Sequence, residues 1–79
     1  SVGRQTAQGL YNLCTPLSSA QAKPGDLLFF VGTYDTAGVS HVGIYVGGGM
    51  MIHCGDPISY ANINTNYWQS HYFSFGRLP

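Results

Sequence analysis

The sequence predicts an α+β domain in which four or five antiparallel strands form one sheet with little helix. One observation behind this prediction is the unbroken apolar run Leu27 to Val31, which is bounded by turn residues. The other is a pair of alternating segments on either side of three consecutive glycines. Period-two alternation around a glycine-rich tip is typical of a short β-hairpin. The length of 79 residues supports one small domain.

The first half of the chain contains one candidate helix and one buried strand. Arg4 to Leu13 has helix-compatible spacing, but its glycines weaken it and Thr15-Pro16 ends it, so the segment is predicted to be a helix tail or an irregular arm. Lys23 to Asp26 has the Pro-Gly chemistry of a turn and leads directly into the strand Leu27 to Val31. The continuous apolar character of that strand indicates cover on both faces. Gly32 to Gly38 is predicted to be a polar loop.

The second half is predicted to be mostly extended. After the hairpin come, in order, a turn at 55–57, an extended segment at 58–61, cap residues at 62–66, a helical turn around Tyr67 and Trp68, and a strand at 72–76. Phe73 and Phe75 alternate in that last strand and are predicted to point inward. A sheet of this size needs cover, and the chain offers little helix to provide it. We therefore expect either N-terminal helices outside this chain or pairing with another molecule.

The register of the hairpin brings two histidines within reach of each other. A three-residue loop, Gly47 to Gly49, places Gly43 opposite His53, and His41 then lies on the diagonal. Diagonal Cα atoms are about 7 Å apart. Because Gly43 has no side chain, the two imidazoles have room to meet.

The same register sorts the hairpin side chains into two faces, with Val46 opposite Met50. The face predicted to contact the core is entirely apolar and holds Val42, Ile44, Val46, Met50, Ile52 and Cys54. The opposite face holds His41, Gly43, Tyr45, Met51 and His53.

The composition excludes several classes of partner. Charged residues make up 8% of the chain and cancel, so no basic patch is available for nucleic acid. No apolar run is long enough for a membrane span. The solubility depends on uncharged polar residues, which is more usual in exported proteins than in cytosolic ones. The start of the chain lacks a Met and a signal peptide, which is typical of a mature piece or an excised fragment.

His41 and His53 are the candidate catalytic residues, because two imidazoles in contact can divide the work of a general base. One ring takes the proton, and the other fixes its tautomer and orientation. Such a base serves a Cys or Ser nucleophile. The residues alone leave two other interpretations open. The histidines are ordinary surface residues in one and zinc ligands in the other, although His53 and Cys54 are adjacent and point to opposite faces of a strand.

The remaining polar residues have structural interpretations. Cys14 and Cys54 are the only cysteines and allow one disulfide in an exported protein, or Cys54 is a small apolar core residue. His71 lies outside any motif and is predicted to be a surface residue. Asp26 is predicted to organise the turn before the first strand, and Trp68 to be a core or rim aromatic. No cofactor and no metal are expected.

An ordered set of motifs resembles the NlpC family of bacterial cell-wall cysteine peptidases. These motifs are Pro24 to Phe30, Ser40 to Gly47, Met51 to His53 and the late Tyr67-Trp68 pair. Arg4, Thr6 and Ala7 are similar to the Arg-Thr-Ala stretch of the family, interrupted here by Gln5. The segments 53–58 and 60–62 resemble two-domain cell-wall hydrolases carried on conjugative elements.

The resemblance implies that residues 1–79 are the C-terminal, sheet-bearing half of a papain-like α+β domain, with the N-terminal helices and the nucleophile segment upstream. In that family a Cys within an Asp-Cys-Ser-Gly motif starts a helix and faces a His and a third polar residue. By position His41 matches the base and His53 matches the orienting residue. Neither Cys14 nor Cys54 matches the nucleophile, so this chain alone is expected to be inactive.

The implied substrate is the stem peptide of peptidoglycan. The resemblance implies cleavage between a D-γ-glutamyl residue and a diamino acid, by a secreted or wall-associated bacterial enzyme.

Three alternatives stay open. A non-catalytic relative would bind cell-wall peptide or a partner through the same cleft, although a binder has no need of a base and its orienter. In another alternative Cys14 is an unconventional nucleophile carried to His41 by the N-terminal arm. The uncovered sheet face also makes self-association plausible.

Overall fold

The structure is a computed structural model that describes residues 6–33, 38–54 and 58–79. Arg4, Gln5, most of the predicted polar loop and the predicted turn at 55–57 lie outside these residues. The described elements are α1 (Ala7–Leu13), β1 (Thr15–Leu17), a 3₁₀ turn (Ser19–Gln21), β2 (Leu27–Val31), β3 (Val39–Gly47), β4 (Met50–His53), β5 (Ser59–Asn62), α2 (Asn66–His71) and β6 (Tyr72–Arg77).

The strands form one six-stranded antiparallel sheet in the order β1-β6-β2-β3-β4-β5. The predicted fold class is confirmed, but the count of four or five strands is too low. The strand that the sequence hides is β1, because Thr15-Pro16 has the composition of a helix end. Proline is tolerated there because β1 is an edge strand and pairs only with β6.

Strand β2 lies at the centre of the sheet and is covered on both faces, as its composition predicts. Leu28, Phe29 and Phe30 are all at most 1% exposed. On one face, the ring of Tyr11 from α1 packs edge-on against Phe29, with ring centroids 5.2 Å apart. On the other face, Leu28 and Phe30 join a core with Met51, Ile63 and Phe75, beneath α2.

The predicted hairpin register is confirmed along most of its length and is wrong at the tip. Gly43 pairs with His53, but Met50 pairs with Gly47 instead of Val46, because the register shifts after Tyr45. The loop therefore has two residues, Gly48 and Gly49, with φ of 62° and 76°. Two positive φ angles in succession fit the tight turns that join short hairpins, which is why glycines are needed there.

The prediction of which hairpin face is the core is also wrong. Met51 is fully buried, whereas Ile44 is 46% exposed, Val46 is 37% exposed, and Cys54 is exposed as well. Alternation separates two faces but does not say which one the rest of the chain covers more completely. The core forms on the histidine side because α2 and Ile63 pack there.

The apolar side of the hairpin lines an open groove instead. We call it the apolar groove; its volume is about 320 Å³ and its lining is Leu10, Leu27, Val42, Gly43, Ile44, Ile52, His53, Cys54 and Ile58.

The last strand contains a second irregularity. Phe29 pairs with Ser74 and Phe30 with Tyr72, so Phe73 is an extra residue in a β-bulge. The bulge separates two phenylalanines that simple alternation places together. Phe75 is 3% exposed and lies in the core, whereas Phe73 is 48% exposed and packs against Tyr11 on the other face. The prediction that both point inward is therefore wrong for Phe73.

A Gly43→Ala substitution is expected to lower the free energy of unfolding by about 1–3 kcal/mol. A Cβ at this position would lie 2.5 Å from Sδ of Met51, whose side chain is fully buried. Urea denaturation measures the effect. In a double-mutant cycle, Met51→Ala should remove part of the cost, because the clashing sulfur is gone. A Gly43→Ala protein as stable as the native one would contradict this account of the packing.

Candidate active site

His41 on β3 and His53 on β4 are in direct contact. Nε2 of His41 and Nδ1 of His53 are 3.0 Å apart, which is hydrogen-bond distance, and the rings are nearly perpendicular at 81°. The Gly43–His53 pairing sets this geometry by placing His41 on the diagonal. Gly43 has a further reason to be glycine, because the side chain of Met51 fills the space where its Cβ would lie.

The environment of His41 favours its neutral form. Burial lowers the pKa of His41 below its ordinary value of 6.5, and the positive charge of a protonated His53 lowers it further. A neutral imidazole is the form that accepts a proton as a base. The hydrogen bond between the rings holds a single proton, so each neutral ring has a defined tautomer.

If Nε2 of His41 donates to Nδ1 of His53, the proton-accepting atom of His41 is Nδ1. Protonation there leaves the inter-ring hydrogen bond intact.

Aromatic rings surround the histidine pair on the α2 side. Trp68 stacks on His41 with ring centroids 5.6 Å apart and meets His53 edge-on at 5.0 Å. Phe30 contacts both Trp68 and His41 from β2. Trp68 packs against the core, as predicted, but the sequence interpretation did not assign it to the site. The sequence signal that could have pointed to Trp68 is the short helix α2, which carries it and begins after the cap residue Thr65.

His71 is only partly exposed and has defined partners, so it is more than the surface residue that the sequence predicts. It is half-buried at the end of α2, and its Nδ1 donates a hydrogen bond to the carbonyl oxygen of Val31 at 2.8 Å. Its ring also contacts Tyr67 at 4.7 Å. A histidine in the last helical turn is well placed for polar contacts near a helix terminus, and that was the signal in the sequence.

Both cysteines are free thiols, with Cys14 partly buried and Cys54 exposed. Cys14 packs beside Gly76 on β6, two strands from β3 and three residue steps along the sheet from His41. Strand spacings make this a separation of about 14 Å. Burial, and then the charge of Asp26, raise the pKa of the Cys14 thiol. The geometry therefore opposes the interpretation of Cys14 as an unconventional nucleophile.

Two further features bear on ligands. Within residues 6–33, 38–54 and 58–79 there is no cluster of three or more side chains suited to a metal ion, so the zinc interpretation gains no support. A cavity of about 350 Å³ shares Phe30 with the histidine site, and its wall also contains the polar side chains Asn64 and Gln69. This volume is within the range of small-ligand sites.

No helix in the described part of the chain is long and apolar enough to cross a membrane.

The fold and the histidine pair define the class of protein: an α+β domain built on one antiparallel sheet, with two histidines in contact on neighbouring strands. Residues 2–77 match the NlpC/P60 family, and the chain belongs to that family.

Named relatives agree with this assignment. The chain is 43% identical over 75 residues to the bifunctional muramidase/DL-endopeptidase CwlT of Bacillus subtilis, covering 94% of this chain and 23% of that protein. It is 45% identical over 75 residues to the probable endopeptidase p60 of Listeria monocytogenes, covering 94% of this chain and 15% of that protein.

A solved structure agrees as well. A Staphylococcus aureus NLP/P60-family protein, described as similar to lipoprotein, matches with a TM-score of 0.90 and 38% identity, covering 95% of this chain and 26% of that chain. The chain thus spans roughly a quarter or less of the length of these relatives.

Proposed function

We propose that this chain is the histidine-bearing part of a peptidoglycan endopeptidase that cleaves stem peptides between a D-γ-glutamyl residue and a diamino acid. The observation that carries the proposal is the hydrogen bond between His41 and His53, which joins a base to its orienting residue. Membership of the NlpC/P60 family supports it, and so does the naming of CwlT as a DL-endopeptidase.

The proposed chemistry is that of a cysteine peptidase. His41 takes the proton of a cysteine thiol at Nδ1, and the thiolate attacks the carbonyl carbon of the scissile amide. His53 accepts the Nε2 proton of His41 and holds the ring through both proton transfers. The imidazolium of His41 then protonates the leaving amine, and a water activated by His41 hydrolyses the thioester. Neither Cys14 nor Cys54 supplies the thiol, so we place the nucleophile upstream of Ser1.

The apolar groove gives the upstream segment a place to pack. Its lining includes Leu10 of α1 and His53 of β4, so a segment packed in it would contact the hairpin that carries both histidines. Burying an exposed Leu or Ile side chain contributes about 1.5–3 kcal/mol. Ile44 and Ile58, at 46% and 67% exposed, line the groove and would be covered in this way. We propose on these grounds that residues 1–79 form a partial catalytic domain. Because the proposed substrate is peptidoglycan, we also propose that the whole protein acts outside the cell, at the wall.

The proposal is tested with two proteins: the 79-residue chain, and the same chain preceded by its natural upstream sequence. Each is incubated with a stem peptide containing D-γ-glutamyl-diaminopimelate or D-γ-glutamyl-lysine, and mass spectrometry identifies the products. We expect cleavage at that bond by the longer protein only. Cleavage by the 79-residue chain would overturn the placement of the nucleophile.

A non-catalytic module is the competing outcome of the same experiment. If the longer protein contains no cysteine at a helix start and binds the stem peptide without cleaving it, the chain is a binding domain. An Asp-Cys-Ser-Gly stretch roughly 20 residues before Arg4 would favour the enzyme instead.

A further inference from the structure

Trp68 contacts both members of the histidine pair at once. Its indole lies almost parallel to the ring of His41, at 20°, and almost perpendicular to the ring of His53, at 76°. The two imidazoles are themselves perpendicular and hydrogen-bonded. The three rings therefore form a closed set in which each one restricts the other two. A rotation of the indole breaks its contacts with both histidines.

The indole is itself held in place from two sides. Phe30, which is 1% exposed, contacts it from the sheet with ring centroids 4.8 Å apart. Tyr67 meets it edge-on at 4.9 Å from the preceding position of α2. The buried Phe30 and the neighbouring Tyr67 thus restrict the movement of the Trp68 ring away from the histidines.

The helix that carries Trp68 is capped at its start and tied to the sheet at its end. With six residues, α2 is too short to be stable alone. Thr65 caps its start by accepting a hydrogen bond from the Trp68 backbone, and Nε2 of Gln69 donates to the carbonyl oxygen of Ile63 at 2.7 Å. At its end, His71 donates to the carbonyl oxygen of Val31, next to Phe30. These contacts fix where the indole is presented.

We infer that Trp68 is a positioning residue of the active site, which holds the two imidazole planes so that Nε2 of His41 meets Nδ1 of His53. The inference rests on the proposed function for its catalytic meaning, and on the ring geometry for its structural content. An imidazole hydrogen bond lies in the plane of the ring, so a free ring that turns about its χ angles loses it. Trp68 also keeps water from one face of His41.

Among the described residues, His53 on β4 contacts His41 directly, whereas Tyr67 contacts Trp68 and His71 contacts Tyr67 on α2. Tyr11 on α1 lies against Phe29, on the opposite face of the sheet. Phe30 of strand β2 contacts the ring of His41. Burial is the leading cause of the lowered pKa of His41, ahead of His53. Removing the indole cover should therefore move the pKa of His41 upward, towards its ordinary value.

The experiment compares Trp68→Phe with Trp68→Leu. Phe keeps a flat aromatic face. Leu keeps apolar bulk, so that the domain can fold, but it has no aromatic face. Nitrogen NMR spectra of the imidazoles, recorded as a function of pH on the 79-residue chain, report the tautomer and pKa of each ring. Tyr60→Ala, which removes a 67% exposed ring from β5, is the matched control.

We expect native-like tautomers in the Phe variant and the control, and a raised His41 pKa with mixed tautomers in the Leu variant. In the longer protein, the Leu variant should lose about tenfold to a hundredfold in kcat/KM, and its acidic limb should move to higher pH. The Phe variant should lose less than about threefold. Identical spectra and rates for the Leu and Phe variants would overturn the positioning role, since bulk alone would then suffice.

The two proposals fail separately. If the longer protein hydrolyses no stem peptide while the Leu variant scrambles the histidine tautomers, the proposed function falls and the role of Trp68 in holding the pair stands. If hydrolysis is observed and the Leu variant matches the native protein in both measurements, the role of Trp68 falls and the proposed function stands.

Discussion

Replacing His41 with Ala in the longer protein is expected to reduce kcat/KM for stem-peptide cleavage by about 10²- to 10⁴-fold. The substitution would impair two steps of the reaction, because His41 accepts the thiol proton and later protonates the leaving amine. The domain should still fold, since His41 is half-buried and lies outside the cluster of Leu28, Phe30, Met51, Ile63 and Phe75. Steady-state kinetics, with far-UV circular dichroism as the folding control, measure the effect.

Substitutions of His53 are expected to have smaller effects on kcat/KM than the substitution of His41. The proposed role of His53 is orientation, so His53→Ala should cost less than His41→Ala. His53→Gln should recover part of the loss, because an amide oxygen can accept the Nε2 proton of His41. Tyr60→Ala, at an exposed position on β5, should leave the rate unchanged. A His41→Ala protein with native kcat/KM would remove the base from the mechanism and with it the proposed function.

The sequence predicts the contact between the histidines because a hairpin register depends on local alternation. His41, Gly43 and His53 fall into place once the pairing is fixed, and the two-residue loop does not disturb them because the β-bulge lies beyond Tyr45. The Phe73 bulge has no comparable signal, since it depends on how β6 fits against β2. Bulges and three-residue edge strands arise from such nonlocal fits.

The candidate site likewise combines a contact that local alternation predicts with one that depends on nonlocal packing. Trp68 reaches the histidine pair only because α2 docks on the core face, and the chain has apolar residues on both faces of the sheet. Alternation in the hairpin cannot choose between those faces, which is why Ile44 was placed in the core and Met51 outside it. The choice depends on where Ile63 and α2 pack, and both follow the hairpin in the sequence.

The ion pair between Asp26 and Arg77 is expected to stabilise the fold. Asp26 is 6% exposed and accepts hydrogen bonds from Nε and Nη2 of Arg77 at 2.9 and 2.7 Å, and from the Lys23 backbone at 2.8 Å. The predicted role of Asp26 in the turn is thus confirmed. The pair also joins the start of β2 to the end of β6. Arg77→Ala should lower the free energy of unfolding and the urea midpoint, because it leaves the carboxylate of Asp26 without its partner.

The pH dependence provides an independent check on this pair. The side-chain hydrogen bond from Arg77 is the main reason that the pKa of Asp26 falls from 3.8 to about 2. The folded state therefore releases the proton more readily than the unfolded state. The resulting stabilisation is complete above pH 3.8 and is lost as the pH falls towards 2. Urea denaturation between pH 7 and pH 2 should show this loss in the native chain and a smaller one in Asp26→Asn.

Arg77→Lys keeps the charge without the two-pronged contact, so its stability should fall between those of the native chain and Arg77→Ala. Equal urea midpoints at pH 7 for the native chain and Arg77→Ala would show that the carboxylate is stabilised without its guanidinium partner.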